Sequence, residues 1–267
     1  KAAAGLSNSD LTVEEHQQGA GLDKPGIPFL AVPSTAGTGS EATIVSVLID
    51  PERQLKKSVR HPSYMAKLVI LDAGLLASCP PHIIAGAGMD AFVQAIESYS
   101  SRSATWLSKQ LSAKSICLLH SSLGKVHQNS ADPAATDLML GSYLAGLALS
   151  MARLGVIHGL VHPLGVRYGL PHGLLCGITL PAALKLNRQA MGAAYSEISE
   201  LIGDDLLKTA KNLLLALGLE KSPLAGKEIS DRENIITETL SSGSTKTNPK
   251  KINRQDVEFL LSELTGS

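Results

Sequence analysis

The sequence has 267 residues, enough for one large domain or two ordinary ones, and its 24 Lys+Arg balance 24 Asp+Glu. With no net charge and no basic run, composition excludes a surface built to grip nucleic acid or an anionic membrane. Hydrophobic residues make up 44% but aromatics only 3%, so the core must be packed from aliphatic and small side chains, which suits closely approaching helices. No stretch approaches the roughly 18 uninterrupted apolar residues of a membrane helix, and the N-terminus does not read as a leader. Cys79, Cys117 and Cys176 form neither a metal knuckle nor a disulfide framework. They point to a reducing, cytoplasmic compartment and read as small buried hydrophobes.

In chain order, KAAAGL reads as the tail of a helix, and the remainder of 1–25 is polar and turn-rich. The run 26–32 (GIPFLAV) is apolar without alternation, as in a strand buried on both faces of a sheet. It leads into PSTAGTGSE, 33–41, a Gly/Ser/Thr loop whose backbone N–H groups and hydroxyls could approach an anion or a sugar. The loop lacks both the Walker lysine and the full dinucleotide glycine fingerprint. Residues 43–49 are a β-branched strand, 50–53 a turn, Lys56 and Lys57 the start of another extended piece, and 68–71 a last short strand. Beyond it the pattern is helical.

A helix over 82–101 places Asp90, Gln94 and Glu97 on one face. That face is either a solvated stripe, with Met89, Phe92, Val93 and Ile96 inward, or a site. Helices follow over 106–127 and 131–153, the second rich in small residues that permit close packing. Others are expected at 182–203 and 204–218. The polar stretch 220–249 includes SSGSTKTNP, which reads as an exposed loop, and 254–264 reads as an amphipathic helix with Val257, Leu260, Leu261 and Leu264 inward.

The chain is organised around 151–181, where His158, His162 and His172 lie among Gly, Leu and Val. His158 and His162 share a helix face, a break or kink is expected near Pro163, and the turn-like L-P-H-G could return His172 toward them. Imidazoles clustered in apolar surroundings need partners, and one shared divalent metal would satisfy all three.

Three motifs in order, PSTAGTGSE (33–41), GMDAFVQAIESY (88–99) and HGLVHPLG with PHG (158–165, 171–173), resemble the iron-containing, group III alcohol dehydrogenases, and the likeness extends to TNP at 247–249. The resemblance implies a partial α/β nucleotide-binding domain, 1–75, followed by an all-helical metal- and substrate-binding domain, 76–267. It implies NAD or NADP, a divalent metal (iron or zinc), a small alcohol or aldehyde substrate and a homodimer. By position, Asp90, His158 and His172 match the family's metal ligands, and His162 matches its catalytic histidine beside the nicotinamide. Ser34, Thr35, Thr38, Val47 and Lys56 match positions lining the cofactor site. Gln94 stands where the family has a fourth ligand, a histidine. An amide oxygen is the weaker donor, which puts iron in question but not a metal. Lys1 matches the last residue of the family's G-G-G-S-x-x-D-x-x-K segment, so the cofactor-cradling glycines are expected ahead of it.

The function implied is metal-dependent hydride transfer between an alcohol and a nicotinamide. A zinc polyol dehydrogenase and a non-catalytic metal-binding fragment are the alternatives. A synthase of the dehydroquinate type would want a basic, phosphate-gripping cluster around the histidine motifs, and the sequence shows none adjacent to them.

Overall fold

The computed structural model describes residues 1–50 and 55–266, with the backbone alone at 55 and 56. The side chain of Lys56 and most of the turn expected at 50–53 therefore lie outside the described residues. The N-terminal part holds two short helices, α1 (Ala2–Leu6) and α2 (Val13–Gln18), and two small sheets. Helix α2 starts at a capping box in which the Thr12 hydroxyl accepts from Glu15 N–H while the Glu15 carboxylate accepts from Thr12 N–H.

Strand β1 (Leu30–Ala31) pairs in parallel with β4 (Leu68–Val69), and β2 (Val45–Asp50) forms an antiparallel ladder with β3 (Leu55–Arg60), Val45 opposite Arg60 and Val47 opposite Ser58. The run 26–32 is thus not a strand buried on both faces. Only two of its residues pair, and Leu30 and Val32 stand 63% and 51% exposed. An apolar run signals a buried strand only where a second layer covers it, and among the described residues none covers this sheet.

The helical part is built around α3 (Pro81–Ser100), which Pro81 can open because the first turn has no use for its missing N–H. Helices α4 (Trp106–Gln128), α5 (Ala135–Ala152) and α7 (His172–Met191) pack around it. Asp90, Gln94 and Glu97 are all buried, because α3 has no solvated face over these turns. Small side chains bring α4 and α5 together, with the Ser115 hydroxyl donating to the Gly141 carbonyl at 2.7 Å. Helix α5 is long and apolar enough to cross a bilayer, but half of it is buried against its neighbours. The 33–41 loop docks on it so closely that a Cβ at Gly146 would lie 2.3 Å from the Gly39 carbonyl oxygen.

Helix α6 (Val156–Tyr168) runs unbroken through Pro163 and ends at Gly169 in the left-handed region. The proline removes the hydrogen bond to the Gly159 carbonyl, and the burial of Val161, Pro163 and Leu164 offsets that loss. Likewise α7 continues through Pro181, so the helix expected at 182–203 is the second half of α7 followed by α8 (Ala193–Ile202). Helices α9 (Leu206–Ala216), α10 (Arg232–Ser241) and α11 (Arg254–Thr265) complete the domain, and α11 buries the four expected apolar residues.

The SSGSTKTNP segment is not an exposed loop. Thr245, Thr247 and Asn248 are buried, and the side chains of Thr247 and Asn248 answer backbone groups at the α5–α6 junction. Thr247 donates to the Leu154 carbonyl at 2.7 Å, and Asn248 Oδ1 accepts from Val156 N–H at 3.1 Å, one of the unpaired donors opening α6. Asn248 also exchanges hydrogen bonds with Asn187, its Nδ2 donating at 2.7 Å and its Oδ1 accepting at 3.2 Å. Replacing Asn248→Ala leaves buried groups on both partners unanswered. The expected cost is about 2–4 kcal/mol, read as a drop of roughly 5–12 °C in melting temperature by calorimetry. An unchanged midpoint would mean that this segment does not clamp the α5–α6 junction.

Candidate functional site

The N-terminus of α6 is where the site is assembled. Its Val156 N–H is taken by Asn248, and its Ile157 N–H is taken by Glu97 Oε1 from α3 at 2.8 Å. The other oxygen of Glu97 accepts from His158 Nδ1 at 2.6 Å. A carboxylate can only accept there, so Nδ1 carries the proton and Nε2 is left with its lone pair facing the interior. In the neutral ring that lone pair points at the cluster; in the imidazolium Nε2 donates to Asp90 Oδ1, 3.1 Å away.

Helix α7 delivers the remaining donors. Its first turn lies against α3 at a glycine pair, since a Cβ on Gly173 would fall 2.0 Å from the Gly86 carbonyl oxygen. This approach sets His172 Nε2 3.6 Å from Asp90 Oδ1. One turn on, the Cys176 sulfur lies 3.6 Å from Asp90 Oδ1, 3.7 Å from His172 Nε2 and 3.9 Å from His158 Nε2. One ligand atom from each of Asp90, His158, His172 and Cys176 lies within 4.8 Å of all the others. His172, expected on a turn, is the first residue of α7, behind Pro171.

His162 stands outside this four-atom cluster. Its ring stacks on that of His172 at 5.1 Å between centroids and meets His158 edge-on at 6.4 Å, half-buried on the cavity side. The Gln94 side chain lies beside Asp90 and helps to lower its carboxyl, and its Oε1 is buried with no hydrogen-bond partner.

Burial alone would raise the Asp90 carboxyl, but the His172 and His158 imidazoles outweigh it and hold Asp90 well below the usual carboxylate range. Burial pushes the Cys176 thiol up to about 12, and the Asp90 charge adds to this against the opposing effect of His158. Desolvation opposes an imidazolium at His158, yet the Cys176 sulfur and hydrogen bonds to Asp90 and Glu97 raise it well above its ordinary value.

The cluster forms the floor of a cavity of about 740 Å³ walled by the β2–β3 hairpin, α6 and the end of α10. Thr38 and Val47 line it, as do Asp90, Gln94, His158, His162 and His172. Ser34 and Thr35 are exposed on the loop and do not line it. Sequence reasoning missed Cys176 and gave Glu97 no role. Both had a signal: Cys176 is one helical turn from His172, and Glu97 is two turns from Asp90.

A model described as the Fe-containing alcohol dehydrogenase family, C-terminal, matches residues 84–265, and one described as iron-containing alcohol dehydrogenase matches residues 1–73. The probable alcohol dehydrogenase EutG of Escherichia coli (strain K12) is 34% identical over 223 residues, 81% of this chain and 56% of its own. The lactaldehyde reductase of the same strain is 36% identical over 181 residues, 68% of this chain and 47% of its own. The chain thus spans about half the length of these curated relatives. The crystal structure of sulfoacetaldehyde reductase from Bifidobacterium kashiwanohense, in complex with NAD+, superposes with a TM-score of 0.91 at 26% identity, covering 100% of this chain and 72% of that one.

Glu97 provides a test of the geometry. In Glu97→Gln the amide offers an N–H to one of two groups that themselves donate, so His158 loses its fixed tautomer. Zinc affinity, measured by competition with a chromophoric chelator, should fall about 10–100-fold. Unchanged affinity would mean that Glu97 only caps α6.

Proposed function

The chain belongs to the iron-containing alcohol dehydrogenase family, and from that membership and the buried donor cluster we propose that it is the metal-binding part, with some of the nucleotide-binding part, of a nicotinamide-dependent alcohol dehydrogenase or aldehyde reductase. The carrying observation is the convergence of Asp90, His158, His172 and Cys176 on one point at the floor of the cavity. The division into 1–75 and 76–267 is part of the same reading, supported by two family matches that part between residues 73 and 84.

The residues fit a divalent ion. The orphaned Gln94 Oε1 and the carboxylate, two imidazoles and thiol gathered within 4.8 Å form a mixed O, N and S donor set of the kind zinc accepts. Asp90, His158 and His172 would hold the ion, with Cys176 as the nearest fourth donor and Gln94 beside them. When bound, such an ion polarises an alcohol or carbonyl oxygen, and the nicotinamide exchanges the hydride. The chain's own contribution is orientation and proton handling. Glu97 keeps the His158 lone pair aimed at the cluster. His162, half-buried on the cavity wall, is placed to carry a proton between the cavity and solvent. Leu149, Leu154 and Val166 give that wall an apolar lining that limits water. Thr38, Val47 and Lys56 are the residues we assign to the cofactor side, with Ser34 and Thr35 at the loop that approaches it. The free state of all three cysteines supports a reducing, cytoplasmic setting.

Two variants separate the roles. His158→Ala should strip the metal, measured by elemental analysis after dialysis. His162→Ala should keep the metal and slow aldehyde reduction by roughly 10²–10⁴-fold. Wild-type protein that retains no zinc or iron would sink the reading, and equal metal loss in both variants would make His162 a ligand.

The sulfur has its own signature. Cobalt-substituted protein should show thiolate-to-metal charge-transfer absorption in the near ultraviolet, absent in Cys176→Ser. Bound cobalt without that band would leave the Gln94 oxygen as the fourth donor.

A further inference from the structure

The cavity is also lined by cations that the function above does not use. Arg60, at the end of β3 and directly across the ladder from Val45, lines the cavity, and so does Lys57. Arg153 comes to the same cavity from the α5–α6 junction. Its Nη1 lies 3.8 Å from the point a Cβ on Gly243 would occupy, and Gly243 is itself a lining residue between Ser242 and Ser244. Among the described residues neither guanidinium has a carboxylate within ion-pair distance. The cavity's own acids are engaged elsewhere: Glu238 binds Arg167, and Asp90 faces His158 and His172. Partial desolvation and, after it, the Arg153 charge lower the Arg60 guanidinium, as two cations facing one space require.

The backbone at Arg153 is a second, independent sign. Its φ of 62° and ψ of −163° lie in a region that glycine occupies freely and side-chain-bearing residues avoid. The conformation is held by Ser98 Oγ donating to the Arg153 carbonyl at 3.0 Å and by Arg153 N–H donating to the Leu149 carbonyl at 2.8 Å. Glycine would relieve the strain, so an arginine here is kept for its side chain. In sequence Arg60 closes a basic stretch that begins at Arg53, whereas Arg153 stands alone, 93 residues further on; folding brings the two to one cavity.

We propose that Arg60 and Arg153 form an anion-binding wall that selects aldehydes or alcohols carrying an oxyanionic group, carboxylate or phosphate, at the end remote from the reacting carbon. The inference rests on the dehydrogenase reading for the identity of the reacting carbon. Ser242 and Ser244 line the same cavity on either side of Gly243 and add polar groups to it, and Leu149, Leu154 and Val45 line it with apolar surface.

The test compares succinic semialdehyde and glycolaldehyde phosphate with butyraldehyde, and follows the binding of succinate to zinc-loaded protein by calorimetry. Wild type should favour one of the charged aldehydes over butyraldehyde in kcat/KM. Arg60→Gln and Arg153→Gly should each lower that ratio, and weaken succinate, by about 10–100-fold, the loss of one charged hydrogen-bonding partner. Arg153→Gly should do so with a melting temperature no lower than wild type, because the strained backbone relaxes, so the loss is not misfolding. A ratio and a succinate affinity unchanged in both variants would overturn the proposal. So would variants that weaken NADH or NADPH and leave succinate untouched, since the arginines would then serve a cofactor phosphate. Arginine-dependent succinate binding in a protein that reduces none of the aldehydes would sink the dehydrogenase reading and leave the anion wall standing.

Discussion

One carboxylate, that of Glu97, ties the architecture to the chemistry. Its two oxygens lie between α3 and the first turn of α6, one accepting from Ile157 N–H and the other from His158 Nδ1. The first bond satisfies an end-of-helix donor that would otherwise be buried and unpaired. The second chooses the tautomer of the histidine one residue later. Backbone and side chain are thus fixed by the same group, and helix α6 cannot be placed without also placing the His158 lone pair. Gly155 marks how tight the join is: a Cβ there would fall 2.6 Å from Glu97 Oε1. Any larger residue would displace the carboxylate that orders the site.

The electrostatics follow from that placement. Asp90 and Glu97 are both buried, and Asp90 shares its surroundings with a thiol and two imidazoles. Taking carboxylates out of water costs several kcal/mol each unless opposite charge and hydrogen bonds compensate. In the protein alone the compensation comes from the His158 and His172 imidazoles, with the Gln94 amide beside them. A divalent cation is the better solution, because it faces the Asp90 charge and the lone pairs of the imidazoles together. The unanswered Gln94 Oε1 points the same way: it is an acceptor in a place where the protein supplies no donor.

Local periodicity in the sequence carried much of the helical half. Helix α3 lies within one residue of its expected bounds, and α11 buries the four residues its spacing assigned. Three motifs in order were enough to name the family and bring Asp90, His158 and His172 together on paper. What escaped is long-range. Composition marks 242–249 as loop, yet Thr247 and Asn248 are polar because Leu154, Val156 and Asn187 need partners far away in sequence. Cys176 looks like a core residue until α7 is laid against α3 at Gly86 and Gly173. The apolar run 26–32 misled in the opposite sense, since burial depends on a covering layer that periodicity does not report. The Thr12–Glu15 capping box, in contrast, was open to a sequence reader and opens a helix where only turns were expected.

The places where local rules fail converge on the cavity. Pro163 sits inside a helix, Arg153 holds a glycine's backbone angles, and Gln94 keeps a buried acceptor unanswered, all on or beside the cavity. In a chain whose helices otherwise obey propensity and packing, each exception costs stability, and costs of this kind persist where they serve a function. Their distribution also divides the cavity. Around the histidines the exceptions are unmet acceptors and carboxylates, which attract a cation. Around Arg60 and Arg153 they are a strained backbone and positive charge with no carboxylate partner among the described residues, which attract an anion. A ligand that spans both ends must therefore present a lone-pair oxygen to the first and a negative group to the second. That polarity is a stricter description of what the cavity accepts than its volume or its apolar lining provides.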